Sequence, residues 1–147
     1  MTEIKVDETT DAFLSTQINL VLATTRGGRS PQISPVWFLW KDQRFVISTT
    51  KDTAKWKNLK RNPHCSICVD NPVSGQMVVA YGVAELQEAD VWDKTWELVA
   101  KYLAPQEVQT HMDQIFDGQS RVLVLVKPEK IFTRAPVGFD YAPGQSD

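Results

Sequence analysis

The chain has 147 residues, 42% apolar and 23% charged, enough for one domain with a real core. Its net charge of −2 argues against a whole surface built for non-specific nucleic-acid binding. No apolar run approaches the ~20 residues that span a bilayer. The acidic start from Met1 to Asp11 has no basic flank and apolar stretch of a signal peptide, so the cytoplasm is the expected location.

Thr10 to Thr16 predicts a short helix with Phe13 and Leu14 facing inward. Ile18 to Thr25 is rich in branched residues and predicts a strand, and Arg26-Gly-Gly-Arg29 a hairpin turn. A second strand is expected from Pro31 to about Lys41, a turn at Lys41-Asp42-Gln43, and a returning strand from Arg44 to Thr50. A basic helix then runs from about Thr53 to Arg61 and is stopped by Asn62-Pro63. Its apolar face is Trp56 with Leu59, and Lys57, Lys60 and Arg61 share the opposite side. His64 to Asp70 reads as a buried strand, Asn71 to Gly75 as a loop, and Gln76 to Gln87 as a long strand whose Gly82 marks a bulge or a close backbone approach. A helix is expected from about Asp90 to Leu103, with Trp92, Trp96, Val99 and Leu103 at helical spacing. Pro105 opens another, to about Phe116, with Val108, Met112 and Ile115 on one face. Ser120 to Val126 and Lys130 to Arg134 are the last two strands, and the tail from Ala135 to Asp147 is irregular.

This is the pattern of a single domain over residues 1–147: mainly β with helices, six or seven antiparallel strands forming a barrel with inserted helices. Trp37, Phe38, Trp40 and Phe45 crowd the hairpin before the basic helix and can be core, ligand walls or subunit interface. Cys65 and Cys68 invite a metal or redox reading. Residues three apart on a strand point to opposite faces, so packed thiols are expected instead. His64 and His111 carry no metal-ligand spacing, and no metal site is expected.

The most telling stretch runs from Thr49 to Pro63. Between Lys51 and Arg61 it holds five basic residues and one acid, in a chain that is acidic elsewhere. Lys51 and Lys55 bracket the start of the basic helix, where each cation meets an already positive dipole at a cost of about 0.3–1 kcal/mol. An anion between them removes that cost. Backbone N–H groups at a helix start, flanking hydroxyls and a lysine together make a phosphate site. A solvated charged helix leaves these cations unexplained. Nucleic-acid binding through the helix and its aromatic neighbours is a further alternative, weakened by the helix's shortness and the acidic chain.

Four blocks carry a resemblance: Leu22-Ala-Thr-Thr-Arg-Gly-Gly-Arg-Ser-Pro-Gln-Ile-Ser34, Val46-Ile-Ser-Thr-Thr50, Thr53-Ala-Lys-Trp-Lys-Asn-Leu-Lys-Arg-Asn-Pro63 and Val79-Ala-Tyr-Gly-Val-Ala-Glu-Leu86. With this order of elements, the chain from Leu20 to Arg134 resembles the split β-barrel flavin and deazaflavin oxidoreductases related to pyridoxamine 5′-phosphate oxidase. The resemblance implies a homodimer with its cofactor at the subunit interface. Ser34, Pro35, Val36 and Trp37 would line the ring and ribityl chain, Ser48 and Thr49 would bond the phosphate or the chain leading to it, and Ala54 and Lys55 would occupy the phosphate-binding pair, with Lys57 as a second cation. Residues near Gln76 and Met77 of the second subunit would close the site.

The family's oxidase places an arginine and a lysine where this chain has Ser34 and Leu39, and Val137 to Asp147 has no counterpart of its vitamin-binding residues. Ser-Pro-Val-Trp-Phe followed by Lys-x-Lys-Asn-Leu-Lys-Arg-x-Pro looks more like the branch using the deazaflavin coenzyme F-420, whose phosphodiester and acidic tail suit Lys57, Lys60 and Arg61. FMN is the alternative cofactor. The implied activity is hydride transfer between the coenzyme and a small conjugated substrate, with Trp37 and Phe38 as pocket walls and no nameable catalytic side chain. A cofactor carrier without turnover is the other reading.

Overall fold

A computed structural model describes residues 4–137. The tail expected from Ala135 to Asp147 therefore lies, beyond residue 137, outside the described residues. The elements in order are α1 (Glu8–Thr16), β1 (Leu20–Thr24), β2 (Gln32–Val36), β3 (Leu39–Lys41), β4 (Arg44–Thr50), α2 (Ala54–Arg61), β5 (His64–Asp70), β6 (Met77–Gln87), α3 (Trp92–Tyr102), α4 (Pro105–Phe116) and β7 (Arg121–Arg134). Among the described residues no helix is long and apolar enough to cross a membrane.

The strands form one seven-stranded antiparallel sheet in the order β2-β1-β5-β6-β7-β4-β3. Its two edges, β2 and β3, are separated in the chain only by Trp37 and Phe38. So short a link can join the two edges only if the sheet curls until they meet, and the result is a split barrel. The continuous strand expected from Pro31 to Lys41 is thus two: β2 pairs with β1, and β3 pairs with β4 across the barrel. The β3–β4 turn places Asp42 at φ 53° and Gln43 at φ 62°, the left-handed pair that matches the twist of a two-residue hairpin.

The two strands expected at the C-terminal end are instead one strand, β7, running through Pro128. Proline costs little here because pairing with β4 ends at Val126, so one side of the strand is already free of a ladder partner. Opposite it, the register with β6 shifts between Tyr81 and Gly82, leaving an extra residue on β7. A side chain at Gly82 would put Cβ 2.5 Å from the Lys127 carbonyl oxygen, which explains the glycine.

Alternation fills the barrel. Leu20, Leu22, Phe45, Ile47, Ile67, Val69, Val78, Ala80, Val122 and Val124 make one core, and Phe38 and Trp40 join it. Three of the four crowded aromatics are therefore core, while Trp37 stays 40% exposed. Helix α1 packs Phe13 and Leu14 onto that core, and its Asp11 accepts from the Trp40 indole at 2.8 Å. Helix α2 inserts Trp56 and Leu59 into the same core. The α3–α4 hairpin has a core of its own around Val99, Val108 and Met112, with Trp96 and Leu103 against it. Of the apolar residues at helical spacing on α3, Trp92 is exposed, while Thr95 and Leu98 are buried, since α3 must face both β4 and α4. Cys65 lies on the buried face of β5 and Cys68 on the other, as strand alternation requires.

Candidate functional site

The corner between β4 and α2 is built from hydroxyls. Thr53 is the N-cap of α2, and its Oγ1 accepts from the Trp56 N–H at 3.5 Å. The same hydroxyl lies 3.0 Å from Thr49 Oγ1 and donates to the Thr50 carbonyl at 2.9 Å. Thr49, the next-to-last residue of β4, is buried, whereas Ala54 is exposed at the first helical position. The opening of α2 carries no acid, so nothing in its first turn offsets the positive end of the dipole.

Lys55 sits on this first turn, half-buried. Among the described residues it makes no ion pair, hydrogen bond or ring contact. Burial lowers its ammonium below the usual lysine value of 10.5. The charge is therefore held partly out of water, against a positive dipole, with no anion beside it. Lys57 is exposed and close enough to Asp52 to lower that carboxyl, though the larger cause there is the hydrogen bond from Thr50.

The other cations of this stretch, Lys51, Lys60 and Arg61, are engaged. Glu88, just beyond β6, takes Lys51 at 2.6 Å and Lys60 at 3.8 Å. Arg61 donates to the Thr25 carbonyl at 2.9 Å and to Asn58 Oδ1 at 3.2 Å. The Glu88 pairs are exposed, and such pairs are worth about 0–1 kcal/mol each. A stronger anion can compete for them.

On β2, Gln32, Ser34 and Val36 share the inner face, and Ile33 and Pro35 point outward. Ser34 Oγ is fully removed from water and, among the described residues, is the buried side-chain oxygen left without a hydrogen-bond partner. Such an orphan costs about 1–3 kcal/mol unless a ligand or water completes it. Trp37 lies three residues further along, roughly 10 Å at strand rise. There its ring stacks on Tyr102 of α3 at 4.4 Å and 3°, with His111 of α4 at 5.7 Å.

Two of the expected residues part company. Thr49 faces the barrel interior, while Ser48 alternates to the outer face and accepts from Arg121 Nη1 at 3.4 Å. Their side chains cannot serve one ligand oxygen together. Thr49, Thr53 and Lys55 share the helix corner; Ser34, Pro35, Val36 and Trp37 follow β2. Sequence reading missed Arg121, a half-buried guanidinium whose pKa burial lowers, against the opposing pull of the nearby negative Asp52. It also missed Glu88 and Tyr102, since each meets its partners only through the fold.

A family model described as pyridoxamine 5′-phosphate oxidase matches residues 6–135. Among solved structures, an F-420 reductase aligns at a TM-score of 0.68 and 22% identity, over 86% of this chain and 98% of that one. A conserved hypothetical protein of Mycobacterium tuberculosis aligns at 0.71 and 22%, over 92% and 88%. General stress protein 26 of Bacillus anthracis aligns at 0.60 and 16%, over 90% and 98%. At these identities the likeness is one of fold. No curated protein matches the sequence.

Proposed function

The chain belongs to the pyridoxamine 5′-phosphate oxidase family, and we propose that it is a cytoplasmic oxidoreductase that holds a phosphate-bearing deazaflavin, coenzyme F-420, and passes a hydride between it and a small conjugated substrate. One observation carries this reading: the half-buried ammonium of Lys55, without a partner among the described residues, on the acid-free first turn of α2. The residues present fit such a group. Lys55 and the free N–H groups of α2 would take the phosphate, with Lys57 as an outer cation. Thr49 and Thr53 would bond the oxygens leading to it. The orphaned Ser34 hydroxyl would bond the polar chain, and Pro35, Val36 and Trp37 would flank the ring.

When bound, the coenzyme supplies the hydride chemistry itself. The chain's own part is to bind, orient and shield. Its binding groups are a cation and hydroxyls at one end and apolar or aromatic walls at the other. Among the described residues no group of three or more His, Cys, Asp or Glu gathers to hold a metal ion.

The site is completed by a second copy. The outer face of β2, β1, β5, β6 and the C-terminal part of β7 carries apolar side chains that nothing among the described residues covers: Ile33 is 68% exposed, Phe132 55%, Tyr81 45% and Val21 39%. Strand register lines up Pro35, Val21, Cys68, Val79 and Phe132 across that face. Met77, at the edge of the same face, is then placed to reach the partner's site, with Gln76 beside it.

A second reading, FMN, is favoured by Glu88. It already occupies Lys51 and Lys60, which leaves fewer cations for the acidic tail of a deazaflavin coenzyme. Titrating the purified protein with FMN and with F-420, while following the visible spectrum and deazaflavin fluorescence, separates the two. Tight F-420 binding with reduction of quinones, nitro compounds or enones supports the proposal. Tight binding without turnover makes the protein a carrier, and a yellow protein as isolated makes it an FMN protein.

A further inference from the structure

We propose that Lys101 and Tyr102, the last two residues of α3, are positioning residues for the ring end of this site: they clamp the Phe38 peptide and thereby fix the Trp37 indole as a wall for a planar ring. The identity of that ring rests on the cofactor reading above; the clamp does not.

Phe38 lies in the two-residue link where the chain leaves one sheet edge for the other, so neither of its backbone polar groups has a ladder to join. Both are met by α3. The Phe38 N–H donates to Tyr102 Oη at 3.0 Å, and Lys101 Nζ donates to the Phe38 carbonyl at 3.1 Å. Tyr102 Oη in turn donates to the Ile18 carbonyl at 2.7 Å, fixing the phenol between β1's approach and the link. Lys101 Nζ also sits 3.7 Å from the centre of the Phe38 ring, and that ring is fully buried.

Trp37 is the consequence. Its indole remains 40% exposed, yet it lies parallel to the Tyr102 ring at 4.4 Å. Closing the barrel requires Phe38 to be held but does not require its neighbour to be stacked in the open. An aromatic face held in one orientation at the surface, adjoining the orphaned Ser34 strand, suits a flat conjugated ligand.

The clamp carries its own signature. Burial pushes the Lys101 ammonium down to about 8. The groups facing it are the Phe38 carbonyl and ring and the Tyr102 ring, 5.4 Å away. Burial raises the Tyr102 phenol, so it keeps its proton through this range. His111 of α4 touches Trp37, and Glu97, one turn earlier on α3, is taken by Lys41 of β3 at 2.5 Å. Above about 8 the lysine loses its charge and its grip on the Phe38 carbonyl weakens. Global stability moves the other way. The unfolded chain keeps this proton up to about 10.5, so between the two values it binds more protons and folding gains as pH rises. A local loosening that is not accompanied by a falling melting temperature is therefore expected.

The test uses the full chain without cofactor. Trp37 is isolated in near-UV circular dichroism by difference from Trp37→Phe, and riboflavin and inorganic pyrophosphate serve as separate probes of the ring and phosphate ends. In Lys101→Met and Tyr102→Phe the Trp37 band collapses, riboflavin binding weakens roughly tenfold, the scale of one charge-assisted hydrogen bond, and pyrophosphate binding holds. Lys101→Arg restores the band, which keeps the test valid if Lys101→Met folds poorly. In the unsubstituted chain the band titrates near pH 8, and in Lys101→Met it does not. A band unchanged in both variants, or one indifferent to pH, overturns the proposal. Failure of riboflavin and pyrophosphate to bind the unsubstituted chain removes the cofactor reading, while the band still decides the clamp.

Discussion

Lys55→Met should make the protein without cofactor more stable while making it a worse binder. The lysine is half-buried, bears no counter-charge among the described residues and opposes the dipole of α2. Methionine keeps the apolar stem packed and has nearly the same helix propensity. What is removed is a cation at a helix start, worth about 0.3–1 kcal/mol at low salt. In a chain of this size about 1 kcal/mol moves the melting temperature by roughly 2–4 °C, so a gain of about 1–4 °C is expected. Thermal unfolding followed by circular dichroism measures it, and the gain shrinks in high salt because the dipole interaction is screened. The pH dependence has a definite sign. Burial sets the folded pKa of Lys55 below 10.5, so below that folded value both states are protonated and the full cost is present. Between it and 10.5 the unfolded chain holds more protons, and stability of the unsubstituted chain rises toward that of the variant. Lys101 titrates in both proteins and cancels in the difference. A lower melting temperature for Lys55→Met would refute the reasoning, because it would mean the ammonium already stabilises the fold.

Gly82→Ala should lose about 1–3 kcal/mol in urea unfolding, the range for overpacking, because the new Cβ would meet the Lys127 carbonyl oxygen at 2.5 Å; an unchanged midpoint would contradict the strand juxtaposition. Burial pushes the Cys65 thiol up to about 12 and also raises Cys68. Native Cys65 should therefore resist a disulfide reagent at neutral pH and react only in denaturant, and fast native labelling of Cys65 would count against its burial. Glu88→Gln should release Lys51 and Lys60 and tighten F-420 by about two- to fivefold, the scale of exposed ion pairs, with a smaller effect on FMN. Equal shifts for both ligands would show that the acidic tail does not reach these lysines.

Where structure follows from local pattern, the sequence was legible. Arg44–Thr50, His64–Asp70 and Pro105–Phe116 have the bounds that alternation, turn residues and an opening proline suggest. Gly82 betrayed the close approach to β7, and Thr53 with Lys55 marked the helix corner, because a cap and its neighbours are adjacent in the chain. The crossing at Trp37 and Phe38 was not legible. An unbroken apolar run looks the same whether it stays on one edge or changes to the other, and only pairing partners decide. Pro128 misled for a related reason: whether a proline breaks a strand depends on whether that side of the strand has a neighbour. The same limit hid Arg121, Glu88 and Tyr102. Each meets its partner across tens of residues, and nothing in its own neighbourhood signals it.

The central claim is that the Lys55 ammonium stands ready for the phosphate of a redox coenzyme. Calorimetric titration of F-420 and FMN into the unsubstituted chain and into Lys55→Ala addresses it directly. Loss of a charge-assisted hydrogen bond should weaken binding of the preferred coenzyme by about 1.5–3 kcal/mol, a tenfold change or more in Kd. Equal dissociation constants for the two proteins would contradict the assignment.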